Sequence, residues 1–463
     1  MGSTTDIAGF IHATSFEDLP PDVVSTMQRC CLDVLGVAVA GRTTDLSRII
    51  TAHVRRSFGT TEDPADIMFT GTTASAVGAA LAGGMTVDAF DAHDGHRLTK
   101  GHAGAAVVPA VLAVMSSLER AGRRSSGRDL LAALAVGYEV ALRAGIALHS
   151  SVSDYHTSGA WNALGVAAAV ARLLRLDVET TRHALGIAEY HGPRSQMMRC
   201  IDHPTMVKDG SGWGAMVGVS SALLAESGFT GAPAVTVESE RTATHWQGLG
   251  AGWQLLQQYF KPYPVCRWAQ PAVQAVSDLM AAHRIAGERV AGVEVLTFHE
   301  ATRLAGHTPR TTEEAQYAIA FPVAAMLVRG RLGAEEISPQ ALDDPDILAL
   351  SRRVLLREVD RFNHLFPAER WAEVTLTLTD GRVLRSAPTA ASGDPEDPMS
   401  DADIRLKFEG SCAGLLPPRH VADLQQAVDT LDGEREPVSR LLGLVRCPVA
   451  TEGGARQRSD GRS

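Results

Sequence analysis

Apolar residues recur at helical spacing through most of the first half of the chain. Positions three and four residues apart share one face of a helix, so this repeat predicts helices with a buried stripe. Several segments are so rich in Ala, Val and Leu that they predict helices buried on most sides, as in a large all-α core. The predicted helices are 22–40, 74–85, 103–121, 129–149, 160–174 and 213–227, with a shorter one at 177–190.

The pattern changes after Arg267. Residues 290–298 and 371–378 alternate apolar and polar positions, which is typical of half-buried strands. The tetrapeptide TDGR at 379–382 is a hairpin signal before a third short strand. Two helical patterns are also predicted in this part of the chain, at 317–329 and 346–359.

These patterns predict a predominantly helical α+β protein. We expect a large all-α domain that carries an inserted, smaller α+β lid domain. The reason is that helical spacing returns at 401–431, after the polar linker 392–398. The predicted segments are a first helical part at 1–267, the lid domain at 268–399, a returning helical part at 400–447 and a disordered tail at 448–463.

Composition and charge narrow the classes of function. The chain of 463 residues has 43 basic and 53 acidic residues and a formal charge of −10, which argues against binding to nucleic acid or to an anionic membrane. The densest apolar stretch, 103–115, is shorter than the roughly 20 residues of a membrane span. Six cysteines form no C-x-x-C pair, and no signal peptide is evident at the N-terminus, so a cytoplasmic protein is expected.

Standard cofactor signatures are missing from the sequence. No Gly-Lys dipeptide occurs, so there is no P-loop, and glycines 248, 250 and 252 have the wrong spacing for a dinucleotide fingerprint. The residues 299–300 (HE) lack the second histidine of an H-E-x-x-H zinc motif. We therefore expect no cofactor.

Lysine is scarce in this chain. Only four of the 43 basic residues are lysines, and the other 39 are arginines. Arginine serves well on a solvated surface, whereas a compact ammonium with a movable pKa is available only from lysine. The lysines are therefore candidates for special roles, namely Lys100, Lys208, Lys261 and Lys407.

The segment 88–102, DAFDAHDGHRLTKGH, holds the densest group of chemically active side chains. It lies between two apolar helices, and helix N-termini favour anions. A metal site is one interpretation, but the spacing is not diagnostic and two basic residues would repel a cation. Acid–base chemistry on a carboxylate substrate fits the mixed charges better, and a solvated polar loop is the alternative without function. The residues concerned are Asp88, Asp91, His93, Asp94, His96, Arg97, Lys100 and His102.

Three other polar segments precede or follow buried helices. His156 stands in DYHTSG, where Ser158 or Thr157 could serve only as a helix cap. Lys208 stands among flexible glycines in VKDGSGW, and Lys261 stands in the proline-fixed turn FKPYPVCR. A lone lysine in a loop usually faces solvent, but the scarcity of lysine raises both candidates above that expectation.

Together these segments resemble the MmgE/PrpD family, whose members include 2-methylcitrate dehydratase, cis-aconitate decarboxylase and iminodisuccinate epimerase. The resemblance covers nearly the whole chain, and the motifs occur in the family's order. They are the Asp/His segment ending in GHAGAAVVPAVLA, then GYEVALR, YHTSGAWNALG, MVKDGSGWGAMVGVSSALLAESGFTG, FKPYPVCRW and YAIAFPVAAMLVRG.

The resemblance implies an enzyme without metal or cofactor that acts on small di- or tricarboxylates, usually as a homodimer of helical domains with α+β lids. The positions that match the family's active site are Asp91, His102, His156, Lys208 and Lys261. Predicted substrate-binding residues are Asp94, His96, Arg199, Cys266 and Arg267. Arg199 and Arg267 are candidate bidentate clamps on the substrate carboxylates, because the guanidinium fork matches carboxylate geometry.

Two departures from the family pattern leave alternatives open. Family members often have an Asp-Asp-Thr run in the first motif, whereas Asp94 is followed here by Gly95, so either Asp91 or Asp94 could be the family aspartate. Some decarboxylase members have a histidine where this chain has Cys266.

The leading hypothesis is elimination of water from a hydroxylated polycarboxylate. An Asp91/His102 pair would transfer the proton, with the aspartate fixing the imidazole, and His156 would protonate the departing hydroxyl. Lys208 and Lys261 would neutralise the carboxylate on which charge develops. Epimerisation (or racemisation) and decarboxylation remain alternatives because they share the same carbanion, and a carboxylate-binding protein without catalysis is a further one.

Overall fold

The computed structural model describes residues 6–59, 62, 64–434 and 436–450. The predicted fold class is confirmed: the protein is a predominantly helical α+β protein, 56% helical, with small sheets. The predicted disordered tail lies outside the described residues from position 451 onward.

Helices account for most of the first half of the chain, as the hydrophobic pattern predicts. In chain order they are α1 Ile7–Ala13, α2 Pro21–Gly41, α3 Asp45–Ser57, α4 Ala76–Asp88, α5 Gly104–Arg120, α6 Gly127–Ser151, α7 Gly159–Leu174, α8 Val178–His191, α9 Met198–Asp202, α10 Ser211–Glu226, α11 Val235–Glu238, α12 Gln270–His283, α13 His299–Thr302, α14 Thr312–Gln316, α15 Ala320–Arg329, α16 Pro339–Leu342, α17 Pro345–Ser351, α18 Asp360–Asn363, α19 Asp401–Cys412, α20 Pro418–Asp429 and α21 Ser439–Val445.

The strands form three small antiparallel or mixed sheets. Two of these sheets are two-stranded ribbons, β1 with β2 and β3 with β4, and the third has the order β6-β5-β7-β8. The strands are β1 Ala65–Ile67, β2 Thr72–Ala74, β3 Gly95–His96, β4 Gln258–Tyr259, β5 Val290–Thr297, β6 Val354–Glu358, β7 Glu373–Leu378 and β8 Val383–Arg385.

Glycine contacts bring the central helices α4, α7 and α10 close together. A Cβ built on Gly84 of α4 would lie 2.6 Å from the Cα of Gly212 in α10. A Cβ on Gly214 would lie 2.6 Å from the carbonyl oxygen of Gly159, the first residue of α7. Because both contacts are to backbone atoms, side chains larger than glycine are excluded there. The N-terminal ends of α7 and α10 are thereby held beside the C-terminal end of α4.

Two helices, α2 and α6, are long and apolar enough to cross a membrane by length and composition alone. The sequence pattern had drawn attention instead to the shorter stretch 103–115. In the structure, other parts of the protein bury 72% of the apolar 18-residue stretch of α2 and 94% of that of α6. Helix α6 also carries the buried ion pair Arg143–Glu139, at 2.6 Å. These features are those of core helices in a globular fold.

The four-stranded sheet confirms the two long predicted strands and the hairpin. Strand β5 pairs in parallel with β6 and antiparallel with β7, and β7 pairs with β8. The prediction of one helix over 346–359 is wrong in its second half, because α17 ends at Ser351 and VLLRE forms β6. Pairing with β5 decides between the two structures, since a short apolar run is ambiguous by periodicity alone.

The chain after the sheet packs against the first long helix. The Lys407 ammonium of α19 lies 2.5 Å from a carboxylate oxygen of Asp33 in α2. The Gln28 side chain of α2 donates to the carbonyl oxygen of Val428 in α20, at 3.3 Å. The predicted helix 401–431 is two helices, because α19 ends at Cys412 and α20 begins at Pro418, where proline suits the first turn of a helix. The predicted domain boundaries and the lid role remain predictions.

Candidate active site

Four segments meet where α4 ends and α7 and α10 begin. The polar loop after α4 supplies aspartates and histidines, and the loop before α10 supplies Lys208. The turn after β4 supplies Lys261, and α14 with the residue after it supplies Gln316 and Tyr317. The members of this cluster are Asp88, Asp91, His93, His102, Lys208, Lys261 and Gln316, and all except His102 are at most 3% exposed.

Lys261 and Asp91 form a buried ion pair. The Lys261 ammonium donates to Oδ1 of Asp91 at 2.5 Å, and Lys261 is 0% exposed. Burial alone would raise the pKa of Asp91, but the Lys261 and Lys208 ammonium groups lower it below its ordinary value. Burial lowers the pKa of Lys261, and the Asp91 carboxylate opposes this decrease. Asp91 is therefore an ionised anchor for Lys261 rather than a base.

Lys208 reaches the cluster from a strained backbone conformation. Its φ is +48°, in the left-handed region that side chains other than glycine rarely adopt. The ammonium donates to Oε1 of Gln316 at 2.7 Å and lies 4.7 Å from the centre of the Tyr317 ring. The same Gln316 oxygen accepts from the Asp91 N–H at 2.9 Å. One side-chain amide therefore links the loop that carries Lys208 to the loop that carries Asp91.

His102 is oriented by its backbone surroundings. Its Nδ1 lies 2.6 Å from the carbonyl oxygen of Asp94, and a carbonyl only accepts, so Nδ1 carries the proton and Nε2 keeps its lone pair. The structure thus differs from the predicted mechanism, in which the Asp91 carboxylate fixes this imidazole. Burial, followed by His93 and Lys261, lowers the pKa of His102 well below its ordinary value. His102 is therefore a neutral imidazole at pH 7.

Two buried carboxylates hold backbone N–H groups near the cluster, Asp209 beside His102 and Asp88 at the start of α10. Asp209 accepts from both the N–H and the hydroxyl of Ser158, and the Ser158 hydroxyl oxygen accepts from the His102 N–H at 2.9 Å. Asp88 accepts from the N–H of Ser211, the first residue of α10, at 2.9 Å. Burial raises the pKa of Asp209 to about 8 and that of Asp88 to about 6. Asp209 is missing from the sequence-based candidates, whereas Asp88 stands among them in the segment 88–102 without an assigned role.

The cluster includes a possible metal-binding geometry. Asp91, His93 and His102 offer ligand atoms within 4.8 Å of one another. However, the Lys261 ammonium already lies 2.5 Å from the Asp91 oxygen, and Lys208 adds a second positive charge. These charges repel a cation and attract an anion, so the donor set fits a carboxylate substrate better than a metal ion.

Asp94 and His96 both lie beside Gln258 of β4. Oδ2 of Asp94 accepts from the Gln258 amide at 2.9 Å, and burial raises the pKa of its carboxyl to about 7. His96 lies on β3 opposite Gln258, and burial with nearby Arg97 lowers the pKa of its imidazole to about 3. Of the two open candidates, Asp91 contributes its carboxylate to the cluster, whereas Asp94 contributes a backbone carbonyl.

His156 and Arg199 lie beside the cluster, and among the described residues their hydrogen bonds go to other groups. Nδ1 of His156 lies 2.9 Å from the Asp154 carbonyl oxygen, and its backbone N–H donates to His149. Arg199 lines a pocket of about 510 Å³ that also includes Lys208 and Trp213. This pocket leads from the surface to the loop that carries Lys208.

Cys266 and Arg267 complete the set of predicted binding residues. The Cys266 N–H donates to the Gln316 carbonyl oxygen at 2.8 Å, and burial raises the pKa of its thiol to about 12. Arg267 donates to the carbonyl oxygens of Ala391 and Ser392, and its guanidinium lies 2.9 Å from Asp394. Its donors are thus used to hold a loop of the chain, which is not the free carboxylate clamp that the sequence predicts.

A buried cluster of two ammonium groups and neutral imidazoles at helix ends is the type of site that suits a small organic anion. In sequence, the chain matches the MmgE/PrpD N-terminal domain over residues 5–254 and the MmgE/PrpD C-terminal domain over residues 263–433. The protein belongs to the MmgE/PrpD family, which confirms the resemblance seen in its motifs.

Curated relatives extend over most of the chain at low identity. Cis-aconitate decarboxylase of Aspergillus terreus is 23% identical over 97% of this chain and 96% of its own length. Cis-aconitate decarboxylase of Mus musculus is 25% identical over 98% of this chain and 96% of its own length. The cis-aconitate decarboxylase-like protein oryM of Aspergillus oryzae is 24% identical over 79% of this chain and 82% of its own length.

Proposed function

We propose that the protein is a lyase that acts on a small di- or tricarboxylate through a carbanion next to a carboxylate. The observation that carries the proposal is the placement of Lys208 and Lys261 around the buried Asp91, with the neutral His102 at the accessible side. Charge that develops on the substrate carboxylate would be neutralised by the two ammonium groups. Preorganised charges in a water-poor site stabilise such a transition state by several kcal/mol.

Elimination of water is the reaction that we favour. His102 is suited to remove a proton because Nε2 is unprotonated and Nδ1 is held by the Asp94 carbonyl oxygen. The electron pair of the broken C–H bond then forms the double bond as the hydroxyl on the neighbouring carbon leaves. A decarboxylase needs the opposite starting state, since its histidine must be protonated before it can deliver a proton to the carbanion.

Decarboxylation is the second candidate, and the relatives favour it. The curated proteins in Aspergillus terreus and Mus musculus are named cis-aconitate decarboxylases and match almost the whole chain. Binding of a substrate with several negative charges would raise the pKa of a nearby imidazole, so His102 could then act as the proton donor. Epimerisation stays the third outcome of the same carbanion.

One experiment separates these reactions. The protein is incubated in deuterated water with 2-methylcitrate, citrate and cis-aconitate in turn, and products are followed by NMR. Alkene formation from a hydroxy acid supports dehydration, release of carbon dioxide supports decarboxylation, and deuterium uptake without alkene supports epimerisation. Absence of any change with every acid over hours would refute the lyase and favour a binding protein.

Variants connect the reaction to the cluster. Lys208→Ala and His102→Ala should each abolish turnover, whereas Lys100→Ala should keep it. Lys100 is a matched control because its ammonium lies over the Tyr155 ring, 4.4 Å from the centroid, away from the ion pair. Full activity in both cluster variants would refute the assignment.

A homodimer is also part of the proposal. Exposed apolar side chains are frequent between residues 190 and 229, where they include Tyr190, Val207, Trp213 and Phe229. Exposed apolar groups of this kind suit a protein–protein contact. Light scattering at several protein concentrations tests this, and a monomer at all concentrations would refute it.

A further inference from the structure

His93 is a buried imidazole to which the sequence-based mechanism gives no role. It is 1% exposed, and neither ring nitrogen has a hydrogen-bond partner among the described residues. Its ring meets that of His102 edge-on, with centroids 4.3 Å apart. A buried polar nitrogen without a partner is unfavourable, so its retention beside the candidate base points to a ligand that completes its bonding.

The charged groups around His93 define a route for a proton. Nε2 lies 3.5 Å from Oδ1 of Asp88 and 3.8 Å from Oδ1 of Asp91. Burial, followed by the Lys261 and Lys208 ammonium groups, lowers the pKa of His93 to about 3, so the ring is neutral at pH 7.

The two carboxylates differ in their ability to give up a proton. Asp91 is kept ionised by Lys261, whereas burial raises the pKa of Asp88 to about 6. A part of the Asp88 carboxyl groups is therefore protonated near neutral pH. The Lys407 ammonium group also lowers the pKa of the His93 ring.

We propose that His93 is a second proton-transfer residue, which relays a proton from Asp88 to the hydroxyl that leaves the substrate. This proposal rests on the proposed elimination of water. In the step, Nε2 of His93 takes the proton from the Asp88 carboxyl group while the Nδ1 proton passes to the leaving oxygen. The C–O bond breaks, its electron pair stays with the oxygen, and water forms. Before the next turnover, Nε2 of His93 returns its proton to the Asp88 carboxylate, and the proton that His102 took from carbon reaches Nδ1 of His93 directly or through solvent.

His93 fits this role better than His156, the predicted acid. Nδ1 of His156 is held by the Asp154 carbonyl oxygen, and its backbone N–H and its ring both contact His149, which is outside the cluster. His93, by contrast, shares the cluster with His102 and has a carboxyl group directly behind it.

The decisive experiment uses His93→Asn with two substrates. With the active hydroxy acid, kcat should fall about 10²-fold or more, which is the usual contribution of a general acid. Exchange of the carbon-bound hydrogen in deuterated water should continue, since His102 performs it. An analogue with chloride in place of the hydroxyl needs no proton on its leaving group, so its elimination should remain within threefold of the unsubstituted protein. A structural defect would slow both substrates alike, and that result would overturn the proposal.

Two further variants test the relay. Asp88→Asn should show the same loss with the hydroxy acid and the same recovery with the chloride analogue. In the double variant the two losses should not add, because the residues act as one unit. His420→Asn is the control, since this ring bonds the Leu444 carbonyl oxygen far along the chain and its loss should leave kcat unchanged.

The outcomes also separate this proposal from the proposed function. If the unsubstituted protein eliminates no water from any acid, both fail. If it eliminates water and His93→Asn retains kcat within threefold, the relay alone is refuted.

Discussion

The Asp91–Lys261 pair provides a prediction in which stability and activity respond differently. The side chains of Lys261 and Asp91 are 0% and 5% exposed, and their charged atoms are 2.5 Å apart. Removal of one partner leaves the other charge buried without compensation, which typically destabilises a protein by about 3–5 kcal/mol. We therefore expect Asp91→Asn and Lys261→Met each to lower the free energy of unfolding by about that amount.

The double variant should regain most of the lost stability. Replacing a buried ion pair by groups of similar volume without charge is often neutral or stabilising. Asp91→Asn/Lys261→Met should thus unfold within about 1–2 kcal/mol of the unsubstituted protein while remaining inactive, because the anion-binding ammonium is gone.

Chemical denaturation with urea, followed by circular dichroism, measures the free energies, and turnover is assayed in parallel. The pH dependence gives a second check. Because the pKa of Asp91 is lower in the folded state, its contribution is complete above its ordinary pKa of 3.8 and is lost only as the pH falls below that value. A double variant less stable than both single variants, or one that retains turnover, would contradict the reasoning.

Three other predictions concern separate parts of the structure. Burial raises the pKa of Asp209 to about 8, so the folded state holds a proton that the unfolded state loses above about pH 4. The free energy of unfolding should therefore fall by up to about 1.4 kcal/mol per pH unit between pH 4 and 8. Asp209→Asn should flatten this slope when thermal unfolding is measured as a function of pH. Gly84→Ala places a Cβ 2.6 Å from the Gly212 Cα. It should destabilise the protein by about 1–3 kcal/mol or more, measured by urea unfolding. Unchanged stability would mean that α4 and α10 separate easily. Arg199→Ala should raise KM with little effect on kcat, because Arg199 lines the pocket beside Lys208. Arg267→Ala should mainly lower the melting temperature, because its guanidinium holds the loop at Ser392. Steady-state kinetics and thermal unfolding are measured for both variants, and a stability loss in Arg199→Ala with a KM effect in Arg267→Ala would contradict these roles.

The sequence carried most of the information about the helices. In α6, for example, Ser126 and Asp129 form a capping box at the N-terminus of the helix, and a long apolar repeat continues the helix. Such local signals are sufficient when a segment is long and buried. The strand β6 was missed because VLLRE becomes a strand only through pairing with β5, some 60 residues earlier in the chain.

The candidate site was predicted in part for the same reason. Scarcity of lysine drew attention to Lys208 and Lys261, and the structure places both beside Asp91. Gln316 was missed although it directly precedes a quoted motif, because a lone glutamine has no chemical signature until two loops are seen to converge on it. The clamp role of Arg267 could not be judged from sequence, since its partners lie about 125 residues further along the chain.

Gln316 has a consequence for how the chain could be divided. Its amide oxygen bridges Asp91 and Lys208, which belong to the N-terminal matched segment, while Gln316 itself belongs to the C-terminal one. Two fragments produced separately and cut between those segments would each hold an incomplete set of groups. Turnover that appears on mixing them would then report reassembly directly, so the catalytic rate could serve as a titration of one fragment by the other.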